Sequence, residues 1–190
     1  MSIGLSRARA GLLVVDMQER LGAAMHPEVL PQVLRNTSIL IESAARLGLP
    51  IVVTQQYPKG LGPTVPAIED ALRAAAGSTA IHRFDKTIFA ASTCDEFATF
   101  AATLKRDQWI LTGMEAHVCV YQTARGILDR GYQAHVVADA SCSRTKANWR
   151  IGMGLCERAG ALITSTEVCV FDLLGRAGTD DFKALSRLIK

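Results

Sequence analysis

The chain has 190 residues, 49% of them apolar, with 21 basic and 18 acidic side chains for a net charge of +3. That is enough length for one full hydrophobic core, and too weak a charge to point to nucleic acid or an anionic membrane surface as a partner. No stretch approaches the ~20 apolar residues of a spanning helix, so no membrane association is expected. The apolar run after Met1–Ala10 ends at Asp16, too early for a secretion-signal core. The five cysteines, at 94, 119, 142, 156 and 169, are odd in number and form no CxxC pair. They read as free thiols in a reducing compartment, hence a cytoplasmic protein.

Strand-like and helix-like segments alternate along the chain. Ala10 to Val15 (AGLLVV) is a short apolar run suited to a strand buried on both faces. Pro27 to Leu47 carries apolar residues at helical spacing and is closed by Gly48. Pro50 to Thr54 reads as a second buried strand, and Gln55 to Pro66, with two glycines and three prolines, as a long loop. Ala67 to Ala76 is expected to be a short helix and Thr79 to His82 a third strand. Ser92 is expected to cap a helix reaching Lys105, with Asp95 and Glu96 in its first turn. Gln108 to Thr112 is strand four, Val118 to Arg130 a helix, and Gln133 to Ala138 strand five. Lys146 to Ala159 is helical, Ala161 to Thr164 is strand six, and helices near 167–174 and 181–189 follow. Units of this length joined by short turns imply parallel strands with right-handed crossovers. The expected fold is α/β, a three-layer αβα arrangement around an open, mostly parallel, Rossmann-like sheet of about six strands. No linker or repeat divides it, so residues 1–190 are read as one domain.

In such sheets ligands bind beyond the carboxyl ends of the strands. The polar residues placed there are Asp16 after strand one, Gln55 and Gln56 after strand two, and Lys86 soon after strand three. Glu115, His117 and Cys119 follow strand four, and Asp139 follows strand five. Cys119 falls in the first turn of the next helix, where unpaired N–H groups and the dipole favour a thiolate and can hold an oxyanion. Its thiol is therefore expected to titrate below the usual ~8.5. Asp16 ends an apolar strand, where a carboxylate needs a partner. It has the chemistry to take the thiol proton and return it to a leaving group. Lys86 is suited to pair with Asp16 and stabilise a thiolate. Taken singly, each has a plain structural reading as well: a core thiol, a turn-capping carboxylate, a surface lysine. Asp139 reads as a cap for the turn or helix that follows it. No GxGxxG follows strand one, which excludes a dinucleotide site.

Together these residues carry a resemblance. Leu13-Val14-Val15-Asp16-Met17-Gln18, Lys86-Thr87-Ile88-Phe89, and Gly113 to Val120 with Thr123-Ala124 resemble the isochorismatase-like cysteine hydrolases, which include nicotinamidases and N-carbamoylsarcosine amidase. Glu115-Ala116-His117-x-Cys119 and Val137-Ala138-Asp139-Ala140-x-x-Ser143-Arg144 resemble the isochorismatase-domain-containing subgroup. The resemblance implies Cys119 as nucleophile, Asp16 as base, Lys86 as the positioning cation, and an adduct released by water. It also implies a cis Met114–Glu115 bond that turns the Glu115 N–H, with that of Cys119, into an oxyanion hole. Gln18, Gln55, Tyr57, Phe89 and His117 are the expected substrate-binding residues. The metal-binding Asp-x-His of nicotinamidases is missing, since Gln55-Gln56-Tyr57 stands there, so neither metal nor other cofactor is expected. The expected partners are a small-molecule substrate and further copies of the chain. The function expected is hydrolysis of a small amide, ureide or ester. The alternative is a non-catalytic interaction protein on the same fold.

Overall fold

The computed structural model describes residues 3–189. Its strands are β1 (Ala10–Val15), β2 (Ile51–Gln56), β3 (Ile81–Lys86), β4 (Gln108–Met114), β5 (Gln133–Cys142) and β6 (Leu162–Thr164). They form one parallel sheet in the order β3-β2-β1-β4-β5-β6. The helices are α1 (Glu19–Ala23), α2 (Leu30–Leu47), α3 (Pro58–Leu61), α4 (Pro66–Ala75), α5 (Asp95–Leu104), α6 (Tyr121–Asp129), α7 (Lys146–Ala159), α8 (Thr166–Leu174) and α9 (Asp180–Ile189). A 3₁₀ turn, Ala91–Thr93, precedes α5, and a π-helical turn, Ala116–Val120, runs directly into α6.

Every residue of β1 is buried because successive side chains enter opposite helical layers. Leu12 and Val14 join Ile41 of α2, Leu72 of α4 and Cys169 of α8 in one core. Leu13 and Val15 join Phe97 of α5, Ile127 of α6 and Cys156 of α7 in the other. This two-sided burial is why central strands read as unbroken apolar runs. From β1 the sheet grows toward β2 on one side and β4 on the other, so the strand order reverses there. The crevice beyond the carboxyl ends of β1 and β4 is where such sheets bind ligands. Asp16 follows the one strand and Glu115 the other.

The expected fold and most elements are found, with informative shifts. The third strand, expected at 79–82, runs to Lys86, which is its last residue and not part of a loop. As an edge strand with exposed Arg83 and Asp85, β3 has no continuous apolar run, and its pairing with Ile51–Gln56 defines it instead. The expected loop from Gln55 is shortened because β2 continues through Gln56 and α3 follows. Ser92 does not cap a helix: it sits within the 3₁₀ turn, and Cys94 stands at the N-cap of α5. Strand β5 continues to Cys142 through a register irregularity opposite Leu111 and Gly113. Asp139 therefore lies inside the strand. Its Oδ1 accepts from the N–H and hydroxyl of Thr166 at 2.8 and 3.0 Å, so it caps the distant α8 and not the segment after it. Helix α1 was not foreseen.

Candidate active site

Sheet register brings the acid and the lysine together. Val15 pairs with Thr54, and Gln56 with Lys86, so the ends of β1, β2 and β3 lie side by side. Lys86 Nζ donates to Asp16 Oδ2 at 2.6 Å, and both side chains are wholly buried. Nζ donates also to Gln56 Oε1 at 2.8 Å and to the Phe89 carbonyl at 3.1 Å, so all three ammonium protons are used. The other Asp16 oxygen accepts from the Thr54 hydroxyl at 2.7 Å. A buried ion pair is tolerable only when its remaining donors and acceptors are satisfied in this way. Asp16 has a φ of 51°, a left-handed conformation that turns the chain sharply out of β1.

The thiol arrives from β4. Gly113 has a φ of 136°, and a Cβ there would lie 2.0 Å from the Val15 carbonyl oxygen, so only glycine lets β4 lie this close to the end of β1. The Met114–Glu115 peptide is cis. The π-helical turn then places Cys119, 5% exposed, against Asp16. Helix α7 backs that turn closely: a Cβ on Gly152 would lie 2.6 Å from the Ala116 carbonyl carbon. The thiol lies within the electrostatic reach of both the Asp16 carboxylate and Lys86. Burial pushes the Cys119 thiol up to about 12, and the Asp16 charge adds to it. The Lys86 ammonium and the Glu115 N–H pull downward without prevailing. The expected low thiol pKa is thus corrected: burial and a carboxylate outweigh the helix start and the lysine. The resting centre is a protonated thiol beside a carboxylate that is itself paired with Lys86.

Glu115 is held at both ends. Its carboxylate, nearly buried, accepts from the backbone N–H and Nε of Arg144 at 3.0 and 3.1 Å. The five expected substrate-binding residues divide. Tyr57 and Phe89 are half-exposed on the rim, flanking Lys86 through backbone contacts: the Tyr57 N–H donates to the Lys86 carbonyl, and Phe89 offers its own carbonyl to Nζ. Beside them a cleft of about 280 Å³ opens, lined by Lys86, Ile88, Thr93 and Cys94. His117 is partly buried and shares a 3.0 Å hydrogen bond between Nδ1 and the Ser143 hydroxyl. Gln18 is fully buried, and its amide bridges Gln56 and Gly62 of the loop after β2 through three hydrogen bonds. Gln55 joins Asp85 to Thr64. Both glutamines brace that loop through their amides.

Thr54, Gln56 and Arg144 were missed as site residues. The strand-end rule pointed to Gln56, but its contact with Lys86 depended on the true length of β3. Nothing in the local sequence marks Thr54 or ties Arg144 to Glu115.

The fold and the cluster of acid, lysine and cysteine define an α/β protein with a thiol-centred crevice. The Isochorismatase domain profile matches residues 10–168, and the chain belongs to the isochorismatase family. It is similar to the secreted isochorismatase effector Isc1 of Phytophthora sojae, 37% identical over 180 residues, covering 94% of this chain and 83% of that protein. Among solved structures it resembles the MAR1 ribonuclease of Caenorhabditis elegans, with a TM-score of 0.87 and 36% identity, covering 98% and 92% of the two chains. It also shares its fold with the YcaC gene product of Escherichia coli, an octameric hydrolase of unknown specificity, with a TM-score of 0.85 and 22% identity over 99% and 91%. No helix among the described residues is long and apolar enough to cross a membrane.

Proposed function

We propose that the chain is a cysteine-dependent hydrolase of a small amide, ureide or ester, with Cys119 as nucleophile, Asp16 as general base and acid, and Lys86 as the fixed counter-charge. The observation that carries this reading is the wholly buried Asp16–Lys86 pair at 2.6 Å beside the buried Cys119 thiol. With the thiol held near 12, attack does not start from a standing thiolate. The sulfur adds to the carbonyl carbon as its proton passes to Asp16. Lys86 holds the Asp16 side chain in place by its 2.6 Å hydrogen bond throughout. The oxygen that gains charge lies toward the backbone N–H groups of Glu115 and Cys119. The tetrahedral adduct collapses, the protonated Asp16 gives its proton to the leaving amine or alcohol, and an acyl-thioester remains. Water then attacks that thioester, Asp16 takes a proton from it, and the thiol regains its proton as the acid leaves.

A carbonyl substrate suits this centre better than a phosphodiester. The cation nearest the thiol is fully spent on Asp16, Gln56 and the Phe89 carbonyl, which leaves it no free donor for a phosphate. Self-association, as in the octameric YcaC protein, and action within the cytoplasm belong to the same reading. A monomer by light scattering at micromolar concentration would count against the first. The test of function is a panel of small amides, ureides and esters, with RNA alongside, assayed with wild type and Cys119→Ala. Turnover of one carbonyl class that the variant loses supports the proposal. RNA cleavage by both proteins, or a variant as active as wild type, overturns it.

A further inference from the structure

Strand β2 carries two polar residues in a row that begins apolar. Side chains two apart share one face of a strand, so Val52, Thr54 and Gln56 form one row. Val52 belongs to the core layer that also holds Cys119. Thr54 is wholly buried, and Gln56 is 7% exposed. A buried hydroxyl or amide is tolerable when its hydrogen bonds are made, and here both side chains bond to the ion pair. Thr54 Oγ1 donates to Asp16 Oδ1 at 2.7 Å, and Gln56 Oε1 accepts from Lys86 Nζ at 2.8 Å.

The Gln56 amide is held in one orientation. Its Nε2 donates to the Thr87 carbonyl at 2.8 Å, which leaves Oε1 for the ammonium. Its backbone is fixed as well: the Gln56 N–H donates to Gln18 Oε1 at 2.8 Å, and the Gln56 carbonyl accepts from Gln18 Nε2 at 3.0 Å. Thr54 and Gln56 thus serve opposite charges, a donor for the anion and an acceptor for the cation, and neither adds a charge of its own. Around the pair, Cys119 of the π-helical turn and Cys94 at the start of α5 lie in the field of both Asp16 and Lys86. Asp85, Asp95 and Glu96 line the cleft beside Lys86 and are exposed.

We propose that Thr54 and Gln56 are positioning residues for the reaction: Thr54 orients Asp16 and tempers it as a base, and Gln56 holds the Lys86 ammonium against it. The inference rests on Asp16 serving as the general base. That base takes the thiol proton and later returns it to the leaving group. A hydroxyl donating to its carboxylate favours the ionised form, which keeps the base available at lower pH and eases the return of the proton.

The test uses the full-length chain with p-nitrophenyl acetate as probe, with kcat and KM followed from about pH 4 to 9. Wild type should turn the probe over and Cys119→Ala should not. Thr54→Val keeps the shape and removes the hydroxyl. A carboxylate that loses a donor takes up its proton at higher pH, so the acid limb of kcat/KM should move up by about one pH unit. Thr54→Ala should move it equally, and Thr54→Ser, which keeps the hydroxyl, should return it to the wild-type position. Gln56→Met keeps the length of the side chain and removes the acceptor. It should lower kcat about tenfold or more with little change in KM, since a hydrogen bond to a charged group is lost. A limb left in place by Thr54→Val and Thr54→Ala, or displaced as far by Thr54→Ser, would overturn the proposal while leaving Cys119 as nucleophile. So would a Gln56→Met protein that works at the wild-type rate. A wild type without turnover that Cys119→Ala loses would instead remove the hydrolase reading itself, and the positioning roles with it.

Discussion

Replacing Asp16 by Asn removes the charge while keeping the shape, and the effect on Cys119 follows from the geometry. In the wild type, burial and the Asp16 carboxylate hold the thiol at about 12. At pH 8 the thiolate is then on the order of one molecule in ten thousand. In Asp16→Asn the repulsion and the proton acceptor both go, while Lys86 keeps two of its acceptors, Gln56 Oε1 and the Phe89 carbonyl. A cation beside a thiol, no longer offset by a carboxylate, should lower the thiol pKa by about one to three units. The thiolate fraction at pH 8 therefore rises about tenfold or more, even as turnover is lost. Iodoacetamide alkylation against pH, with the adduct located on Cys119 by mass spectrometry, reads the midpoint in both proteins. A midpoint unchanged or higher in the variant would mean that the carboxylate does not act on the thiol, and the proposed base would be lost.

Buried thiols also set a limit on alkaline stability: Cys142 and Cys169 are pushed up to about 12 and Cys156 to about 11, each by burial. The folded chain keeps protons that the unfolded chain loses near pH 9. That stabilisation is complete below pH 9 and drains away as pH rises toward 11–12, at about 1.4 kcal/mol per pH unit for each thiol. The urea midpoint should be flat from pH 7 to 8.5 and fall above 9; a flat profile to pH 11 would contradict this. Gly113→Ala should cost about 4 kcal/mol or more, or prevent folding, whereas Gly154→Ala in α7, where an added Cβ meets nothing within 4 Å, should be neutral or stabilising in the same denaturation assay. Arg144→Ala frees the Glu115 carboxylate from its guanidinium and should lower kcat about tenfold with little change in KM, with partial rescue by Arg144→Lys. Equal loss in both variants, or a change in KM alone, would remove Arg144 as a positioning residue.

The architecture was legible because β1, β2 and β4 are buried on both faces and so leave unbroken apolar runs, while the helices keep a 3.6-residue rhythm. Asp16, Lys86 and Cys119 were legible as polar groups at strand ends. What sequence hid was long-range. The length of β3 depends on pairing with β2, because its own residues are mostly polar or half-exposed. The roles of Gln18 and Gln55 depend on a loop whose path brings backbone groups to their amides. The thiol pKa was misjudged for a related reason. The helix start, Asp16 and Lys86 are visible in sequence, but the depth to which Cys119 is buried is a product of the closed crevice.

The central claim is a covalent Cys119 adduct, and intact-protein mass spectrometry of acid-quenched turnover mixtures tests it most directly. With a hydrolysed amide or ester, the wild type should gain the mass of the acyl fragment. Digestion should place it on Cys119, and Cys119→Ala should gain nothing and turn over nothing. Steady hydrolysis by Cys119→Ala, or a wild-type adduct on any other residue, would contradict the account.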